Sequence, residues 1–191
     1  MAVRQIATVG DPVLREWSLP VDPASLEDPA TQSFIDDLVE TMRHYNGAGL
    51  AAPQVRDTRR IVAIEVNSNP RYPYKPDIPL TVLVNPEIEP LTDETFDNNE
   101  GCLSVPDLRG VTRRFVEIAV VALDRHGNRV EKEVRGLSAV TFQHEVDHLD
   151  GKLFLDRVED PTTFTTWDQF ERFGKEEFAG RAAALVARFG S

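Results

Sequence analysis

Apolar residues recur at intervals of three and four in the stretch that follows Asp28, and this spacing predicts an amphipathic helix. The periodic positions are Phe34, Ile35, Leu38, Val39, Met42 and Tyr45. Asp28 is a suitable N-cap and Pro29 suits the first helical position, while Asn46 or Gly47 ends the helix. The residues before Asp28 show little periodicity, so we expect an extended arm broken by turns.

A second helical pattern begins near Leu137 and stops at Gly151. One face carries Leu137, Val140, Thr141, His144 and His148, and the other side carries Ala139, Phe142, Val146 and Leu149. A helix that is apolar on two sides is a buried one. The segment 161–191 predicts a last helix, which carries Phe178, Ala182, Leu185, Val186 and Phe189 on one face. Packing of this face on the protein's own core is the favoured interpretation, and a partner surface is the alternative.

β-branched and apolar runs predict four strands, at residues 61–66, 81–84, 115–123 and 129–134, the last two joined as a hairpin. Residues 47–54 (GAGLAAPQ) are small, and we expect a loop or turn of close approach there, not a strong strand or helix. Across residues 67–80 a proline recurs every third position, at Pro70, Pro73, Pro76 and Pro79. A stiff surface loop is the favoured interpretation of this polyproline period, and a recognition motif is the alternative.

The chain has 191 residues, 41% of them hydrophobic and 28% charged, which fits one globular domain over residues 1–191. Its formal net charge of −11 argues against a nucleic-acid partner, because phosphate binding needs a basic face. No apolar run is long enough for a membrane span or a secretory signal, so we expect a cytoplasmic protein without a membrane partner. Cys102 is the single cysteine, so no intramolecular disulfide can form.

The second helix carries the chemistry, in residues 143–149 (QHEVDHL). His144 and His148 are four residues apart, so both imidazoles lie on one face and can reach a single metal ion. Glu145 lies beside them, where a carboxylate can take a proton from water without being a ligand, as in metallohydrolases. A pair of core or surface histidines is the alternative, and a metal would still need a third protein ligand.

Residues 99–106 (NEGCLSVP) contain the lone Cys102. A thiolate is a good ligand for zinc or ferrous iron. The commonest fate of a single cysteine, however, is an inert buried thiol, and this segment alone favours that interpretation.

Three segments together resemble, in order and spacing, the signature motifs of peptide deformylases: 47–54 (GAGLAAPQ), 100–104 (EGCLS) and 143–149 (QHEVDHL). Residues 10–15 and 85–88 are similar to that family as well, so the resemblance covers about residues 5–160. It implies an α+β fold in which mixed, mostly antiparallel sheets surround a central metal-binding helix, with an additional N-terminal helix and a C-terminal helix.

The resemblance also implies the reaction, which is hydrolysis of the formyl group from N-formylmethionine at the start of nascent polypeptides. By similarity Cys102, His144 and His148 bind one divalent metal ion, foremost Fe²⁺, for which Zn²⁺, Ni²⁺ or Co²⁺ can substitute. Glu145 is then the general base. The side-chain amide of Gln54 and the backbone N–H of Leu103 are then the donors to the oxyanion.

Several residues are expected at the substrate. Gly49 and Gly101 offer backbone groups to an extended peptide, and the methionine pocket is expected to be lined by Ala48, Leu137, Val140 and Thr141. Arg109 matches a family arginine near the cleft, and a solvated loop charge is its alternative. Asp147, Arg114 and Glu100 are candidates to brace the metal helix. The expected partners are nascent formylated peptides, with the ribosome as a further candidate.

Two other functions share these motifs. A zinc peptidase uses the same two-histidine helix and glutamate for amide hydrolysis, but it would leave Cys102 and the loop of Gln54 unexplained. A non-catalytic metal module that binds peptide ends is the other alternative, and loss of Glu145 or Gln54 would be its sign. Both residues are present.

Overall fold

A computed structural model of the chain describes residues 2–69 and 74–191. The helices are α1 (Pro29–His44), α2 (Gly136–Leu149), α3 (Trp167–Gln169) and α4 (Lys175–Phe189), with a π-helical turn, Phe170–Gly174, between the last two. The strands are β1 (Gly49–Ala51), β2 (Ile61–Val66), β3 (Ile78–Pro90), β4 (Thr95–Cys102), β5 (Val105–Phe115), β6 (Glu117–Leu123), β7 (Arg129–Arg135) and β8 (Thr165–Thr166). Short 3-10 turns occur at Pro12–Arg15, Pro23–Ser25, Ala52–Val55, Phe154–Arg157 and Pro161–Thr163.

The strands form two sheets on either side of α2. The larger sheet has the order β1-β2-β3-β6-β7 and the smaller has the order β4-β5-β8. Every pair of these strands is antiparallel, and an isolated bridge between Leu19 and Arg59 is parallel. Helix α2 contacts β1, β2, β3, β6 and β7 of one sheet and β5 of the other. The predicted α+β fold around a central helix is confirmed.

Most predicted elements lie where the sequence pattern places them, with differences at their ends. Helix α1 has Pro29 in its first turn, but the Asp28 side chain makes no capping hydrogen bond. It ends at His44, and Asn46 takes a left-handed conformation with φ 52°. Strand β3 is much longer than the four residues predicted, and the prediction missed β4 and nearly all of β5.

The prediction that residues 47–54 form only a loop was wrong. Gly49–Ala51 is strand β1, which pairs with β2 from Gly49↔Ile64 to Ala51↔Val62, and a 3-10 turn follows it. The segment is buried, so its backbone groups need partners, and strand pairing supplies them despite the weak β-propensity of small side chains.

The proline-spaced segment, residues 67–80, is predicted to be a stiff loop, and its last part differs from that prediction. Pro70, Tyr72 and Pro73 lie outside the described residues, whereas Pro79 lies in strand β3. A polyproline helix therefore does not extend to residue 80. None of the helices in the two described ranges, 2–69 and 74–191, is long and apolar enough to cross a membrane.

The N-terminal arm reaches both loops that hold predicted oxyanion donors. The Ala7 N–H donates to the carbonyl of Gln54 at 2.8 Å, and the Val9 N–H donates to the carbonyl of Ser104 at 2.7 Å. These two bonds connect the arm to the turn after β1 and to the turn between β4 and β5, both of which are far from the arm in the sequence. The arm is therefore part of the frame of the site, which its weak sequence pattern did not indicate.

The C-terminal helices cover one end of α2, and their apolar face packs on the protein's own core, which is the favoured interpretation of the sequence pattern. Phe178, Ala182 and Leu185 are buried in one cluster with Val116, Leu137 and Phe170, and Val186 and Phe189 pack against its edge. The cluster therefore joins α2 to the C-terminal segment.

Candidate metal centre and active site

Three potential metal ligands converge at the end of β4. The donor atoms of Cys102, His144 and His148 all lie within 4.8 Å of one another. The two histidines are one helical turn apart on α2, and Cys102 is the last residue of β4. Cys102 Sγ is 3.3 Å from His148 Nε2. Tetrahedral zinc bonded to sulfur and nitrogen would separate two such atoms by about 3.6 Å, so the arrangement fits a small divalent ion.

The electrostatics favour the thiolate form of Cys102. Burial alone would raise the pKa of the thiol, but the charge and hydrogen bonds of His148 and His144 outweigh burial and hold this pKa well below its usual value. The backbone N–H of Ser104 also donates to Sγ, at 3.4 Å. The thiolate is the form that binds metal.

A chain of buried charges braces the histidine ligand. His144 Nδ1 is 2.7 Å from Glu100 Oε2, and since a carboxylate only accepts, Nδ1 carries a proton and Nε2 is the nitrogen that a metal would take. Arg114 Nε donates to Glu100 at 2.7 Å, and its Nη1 donates to Asp147 at 2.6 Å. Burial opposes the charge on Glu100, yet Arg114 and His144 hold its pKa well below the usual range. The expected brace of Glu100, Arg114 and Asp147 is thus present as a continuous ion network.

Glu145 lies directly against strand β1. A Cβ placed on Gly49 would stand 2.5 Å from Cγ and Cδ of Glu145, a distance that real Cβ atoms essentially never show. Glu145 is buried, burial raises its pKa, and its Oε2 accepts no hydrogen bond from any described residue. An unpartnered buried carboxylate oxygen beside three potential metal ligands is suited to hold a water molecule.

Gln54 faces the same point from the 3-10 turn after β1. Its Oε1 accepts the Ala51 N–H at 2.8 Å, which fixes the orientation of the amide. Its Nε2 donates to Ser104 Oγ at 3.1 Å and lies 3.5 Å from Cys102 Sγ. Leu103 follows Cys102 in the turn between β4 and β5 and lines the same pocket. Both predicted oxyanion donors therefore adjoin the metal ligands.

A pocket opens beside this centre, between two strands at sheet edges. Strand β1 is at one edge of the larger sheet, and β4 is at one edge of the smaller sheet. The pocket contains six of the seven residues predicted at the substrate: Ala48, Gly49, Gly101, Arg109, Val140 and Thr141. An extended peptide could add to either edge.

Leu137, the seventh, is placed elsewhere. It lies on the histidine face of α2, but it is two turns before His144, at the start of the helix. There Phe170, Phe178 and the other C-terminal residues cover it, and it is 1% exposed. The helical period predicted its face correctly but could not show which other element reaches that end of the helix.

Sequence reasoning missed the polar residues of the pocket. Tyr74, Lys75, Asn98 and Asn99 line it as well. Lys75 Nζ donates to Thr141 Oγ1 at 2.9 Å, and burial lowers the pKa of this lysine to about 8. Asn98 is 4% exposed. These residues belong to a strand and a loop for which no apolar pattern gave a signal.

Arg109 is buried in the pocket wall, with 1% of its surface exposed. Its Nε donates to Asn99 Oδ1 at 2.6 Å and its Nη2 donates to the Asn99 carbonyl at 2.8 Å. The solvated loop charge considered as the alternative for this residue is thus excluded.

Comparison with known proteins agrees with this geometry. The family model for polypeptide deformylase matches residues 3–164. Peptide deformylase 1 of Bordetella pertussis is 44% identical over 162 residues, 85% of this chain and 91% of its own length. Peptide deformylase 1 of Prochlorococcus marinus is 45% identical over 175 residues, 91% of this chain and 90% of its own.

Solved structures give the same result for the fold. A class I type b peptide deformylase from Acinetobacter baumannii, bound to Met-Ala-Ser, superposes with a TM-score of 0.79 at 39% identity and covers 82% of this chain and 98% of its own. The peptide deformylase of Thermotoga maritima superposes with a TM-score of 0.74 at 36% identity, covering 84% of this chain and 100% of its own. By its sequence, its fold and the convergence of its three signature motifs on one pocket, this chain belongs to the polypeptide deformylase family.

Proposed function

We propose that the protein hydrolyses the formyl group from N-formylmethionine at the start of nascent polypeptides and releases formate. The observation that carries this proposal is the convergence of Cys102, His144 and His148 with Glu145 and Gln54 around one point of a pocket. Amide hydrolysis needs a nucleophile, a base and an oxyanion donor, and these residue types supply or support all three.

The ligand set is proposed to hold one divalent ion. One thiolate and two neutral imidazoles suit ferrous iron and zinc, and we propose Fe²⁺, with Zn²⁺, Ni²⁺ or Co²⁺ able to substitute. When bound, such an ion lowers the pKa of water and polarises the formyl oxygen. Metal analysis of protein purified without oxygen, together with formate release, tests the choice of metal.

Glu145 is the proposed general base. Its unpartnered Oε2 is buried among the metal ligands, and its raised pKa brings it nearer to neutrality. It takes the proton of the attacking water and later gives it to the leaving methionine amine. The tight fit against Gly49 keeps the carboxylate in place between these two positions.

Gln54 and Leu103 are the proposed donors to the oxyanion that develops on the formyl group. The Gln54 amide is oriented by the Ala51 N–H, so it needs no rearrangement during the reaction. Loss of one donor of this kind typically costs about 100- to 1,000-fold in rate. We expect Gln54→Ala to fall in that range.

The peptide is proposed to lie extended between β1 and β4, with Gly49 and Gly101 beside its backbone. Ala48, Val140 and Thr141 would then meet the methionine side chain. Arg109 would lie further along the peptide. The Acinetobacter relative binds Met-Ala-Ser, which is the kind of product this reaction leaves.

Formyl-Met-Ala-Ser separates this function from its alternatives. A deformylase releases formate and intact Met-Ala-Ser, a peptidase cleaves an internal bond, and a binding module does neither. Internal cleavage without formate would contradict the proposal. The peptidase alternative is disfavoured because Cys102 and Gln54 both contribute to the centre, in roles that it leaves unassigned.

We further propose that residues 1–191 act as one domain in the cytoplasm, where formylated nascent chains are made. Ribosomes are a proposed partner. Cosedimentation of the protein with ribosomes that carry a formylated nascent chain tests this contact, and recovery of the protein only in the supernatant would contradict it.

A further inference from the structure

The residues that follow the part of the chain matched by the family model pair with a strand of the pocket wall. The match ends at residue 164, and strand β8 follows it at Thr165–Thr166. Strand β8 pairs with β5 in the register Arg109↔Thr165 and Leu108↔Thr166. This pairing places the helical turn that begins at Trp167 over the side chain of Arg109.

The Arg109 guanidinium lies over two aromatic rings. Its Cζ lies 4.5 Å from the centroid of the Trp167 ring and 4.4 Å from that of the Phe170 ring. Phe170 is itself buried and packs near Phe178, with ring centroids 6.1 Å apart. Cation–π contacts are strongest when the cation is desolvated, as it is here.

The guanidinium has one unused side. Nε and Nη2 donate to Asn99, but Nη1 is buried and no described residue accepts a hydrogen bond from it. Nη1 lies beside the backbone of Gly101, where a Cβ would stand 3.0 Å from it. Arg109 also makes no ion pair with any carboxylate in the described ranges. A buried donor without an acceptor is costly, so this geometry points to an acceptor supplied by a ligand.

We propose that Trp167 and Phe170 are positioning residues, which hold Arg109 so that Nη1 donates to a main-chain carbonyl of the substrate beyond its first residue. Gly101 and Asn99, which flank the guanidinium, are one and three residues before Cys102 on β4. A strand rises about 3.3 Å per residue, so the guanidinium lies beside positions up to about 10 Å along β4 from the potential metal ligand Cys102. The second or third residue of an extended peptide would lie at about the same distance from the metal site. This inference rests on the proposed deformylation.

Kinetics on two substrates test the inference. Formyl-Met-Ala-Ser has the downstream carbonyls, and formylmethionine amide does not. In Trp167→Leu and Phe170→Leu we expect KM for the tripeptide to rise about 2- to 30-fold with kcat unchanged, because each substitution removes a cation–π interaction with Arg109. Neither kinetic constant should change for the amide. An equal change for both substrates, or no change for either, would overturn the proposal.

Two further sets of variants separate positioning from general damage. Phe173→Ala is the control, because Phe173 lies in the same π-helical turn and is 75% exposed, and it should leave both substrates unaffected. Trp167→Phe keeps an aromatic ring, so its KM for the tripeptide should lie closer to the wild-type value than to that of Trp167→Leu. In an Arg109→Met background, Trp167→Leu should cause no additional loss. An additional loss there would show that the ring acts other than through Arg109.

Failure of the proposed function would look different. If the wild-type protein with Fe²⁺ releases formate from neither substrate, deformylation itself is wrong. If it releases formate from both and the ring variants change neither KM, only the positioning role is wrong.

Discussion

Two regions of the pocket each contain a buried arginine, and the two arginines are held in opposite ways. One region is the metal side, where Cys102, His144 and His148 converge, and the other is the outer wall. On the metal side, Arg114 is 3% exposed and two carboxylates, Glu100 and Asp147, occupy its N–H edges. In the outer wall, defined here as Arg109, Trp167 and Phe170, the guanidinium lies over two aromatic rings and donates to Asn99 through two of its three nitrogens. Carboxylates neutralise the charge but use up the donors, whereas rings stabilise the charge and leave an edge free. We propose that the first arrangement fixes a metal ligand and that the second keeps a donor for a substrate.

The largest expected effect lies on the metal side, at Glu145. In Glu145→Gln the shape is kept and the proposed base is lost, so we expect kcat for formate release to fall about 100- to 10,000-fold. Metal content should be unchanged, because Glu145 is not among the three clustered ligands. Stoichiometric metal with near-normal turnover would remove Glu145 from the mechanism.

Replacement of the two arginines tests the comparison directly. Arg114→Met removes the buried cation that Glu100 and Asp147 share and leaves them with His144 and Arg157 alone as charged partners, so we expect the free energy of unfolding to fall by about 3–5 kcal/mol. Arg109→Met breaks no ion pair and should cost much less stability, while it weakens peptide binding. Denaturant unfolding of both variants measures the difference. Equal losses would mean that the two arginines are held alike.

Gly49→Ala tests how tightly the Glu145 carboxylate is held. The added Cβ would stand 2.5 Å from Glu145 Cδ, so the carboxylate must move, and a displacement of this order can cost about 100-fold in rate. Gly180→Ala is the control, because a Cβ there meets nothing within 4 Å and should stabilise α4 by about 1 kcal/mol. A fully active Gly49→Ala enzyme would show that the site adjusts without cost.

The smallest effect concerns Lys75, which lies between the two regions and faces Glu100, Glu145 and Arg109. Its pKa falls from 10.5 to about 8 in the folded state, mainly through burial. Between these values the unfolded chain binds more protons, so this group makes stability rise with pH. The group's burial penalty is therefore largest below pH 8.

We accordingly expect Lys75→Met to be more stable than the wild type at pH 7, with the difference shrinking as pH rises through 8 toward 10. Thermal unfolding of both proteins at pH 7 and pH 9.5 measures it. A difference that is constant with pH would show that the lysine bears no burial penalty.

The two regions also differ in what the sequence could predict. The helical period alone placed His144, Glu145 and His148 together, whereas Cys102 needed the resemblance to a family. Strand β4 was missed because its buried alternate positions are Asn98, Glu100 and Cys102, which are polar or functional, not apolar. Buried and less buried residues do alternate along β4, as in other strands. The buried positions, however, are taken by polar residues of the site, so a search for alternating apolar residues does not detect the strand.

The outer wall left no local signal. Trp167 and Phe170 looked like ordinary residues of an aromatic C-terminal segment, and only the register of β8 on β5 brings them to Arg109. Leu137 is a second residue whose neighbours could not be predicted from the local sequence. Its face on α2 was predicted, but the packing of the C-terminal helices on that end depends on contacts distant in sequence.

The N-terminal arm has a kinetic consequence. Its bonds from Ala7 to Gln54 and from Val9 to Ser104 close two long loops, and long-range contacts of this kind form slowly. The two histidines, by contrast, are brought together by a single turn of α2. During refolding we therefore expect His144 and His148 to be paired well before Cys102, the turn after it and Gln54 are fixed, so that weak metal binding by the two histidines returns before full metal affinity and turnover.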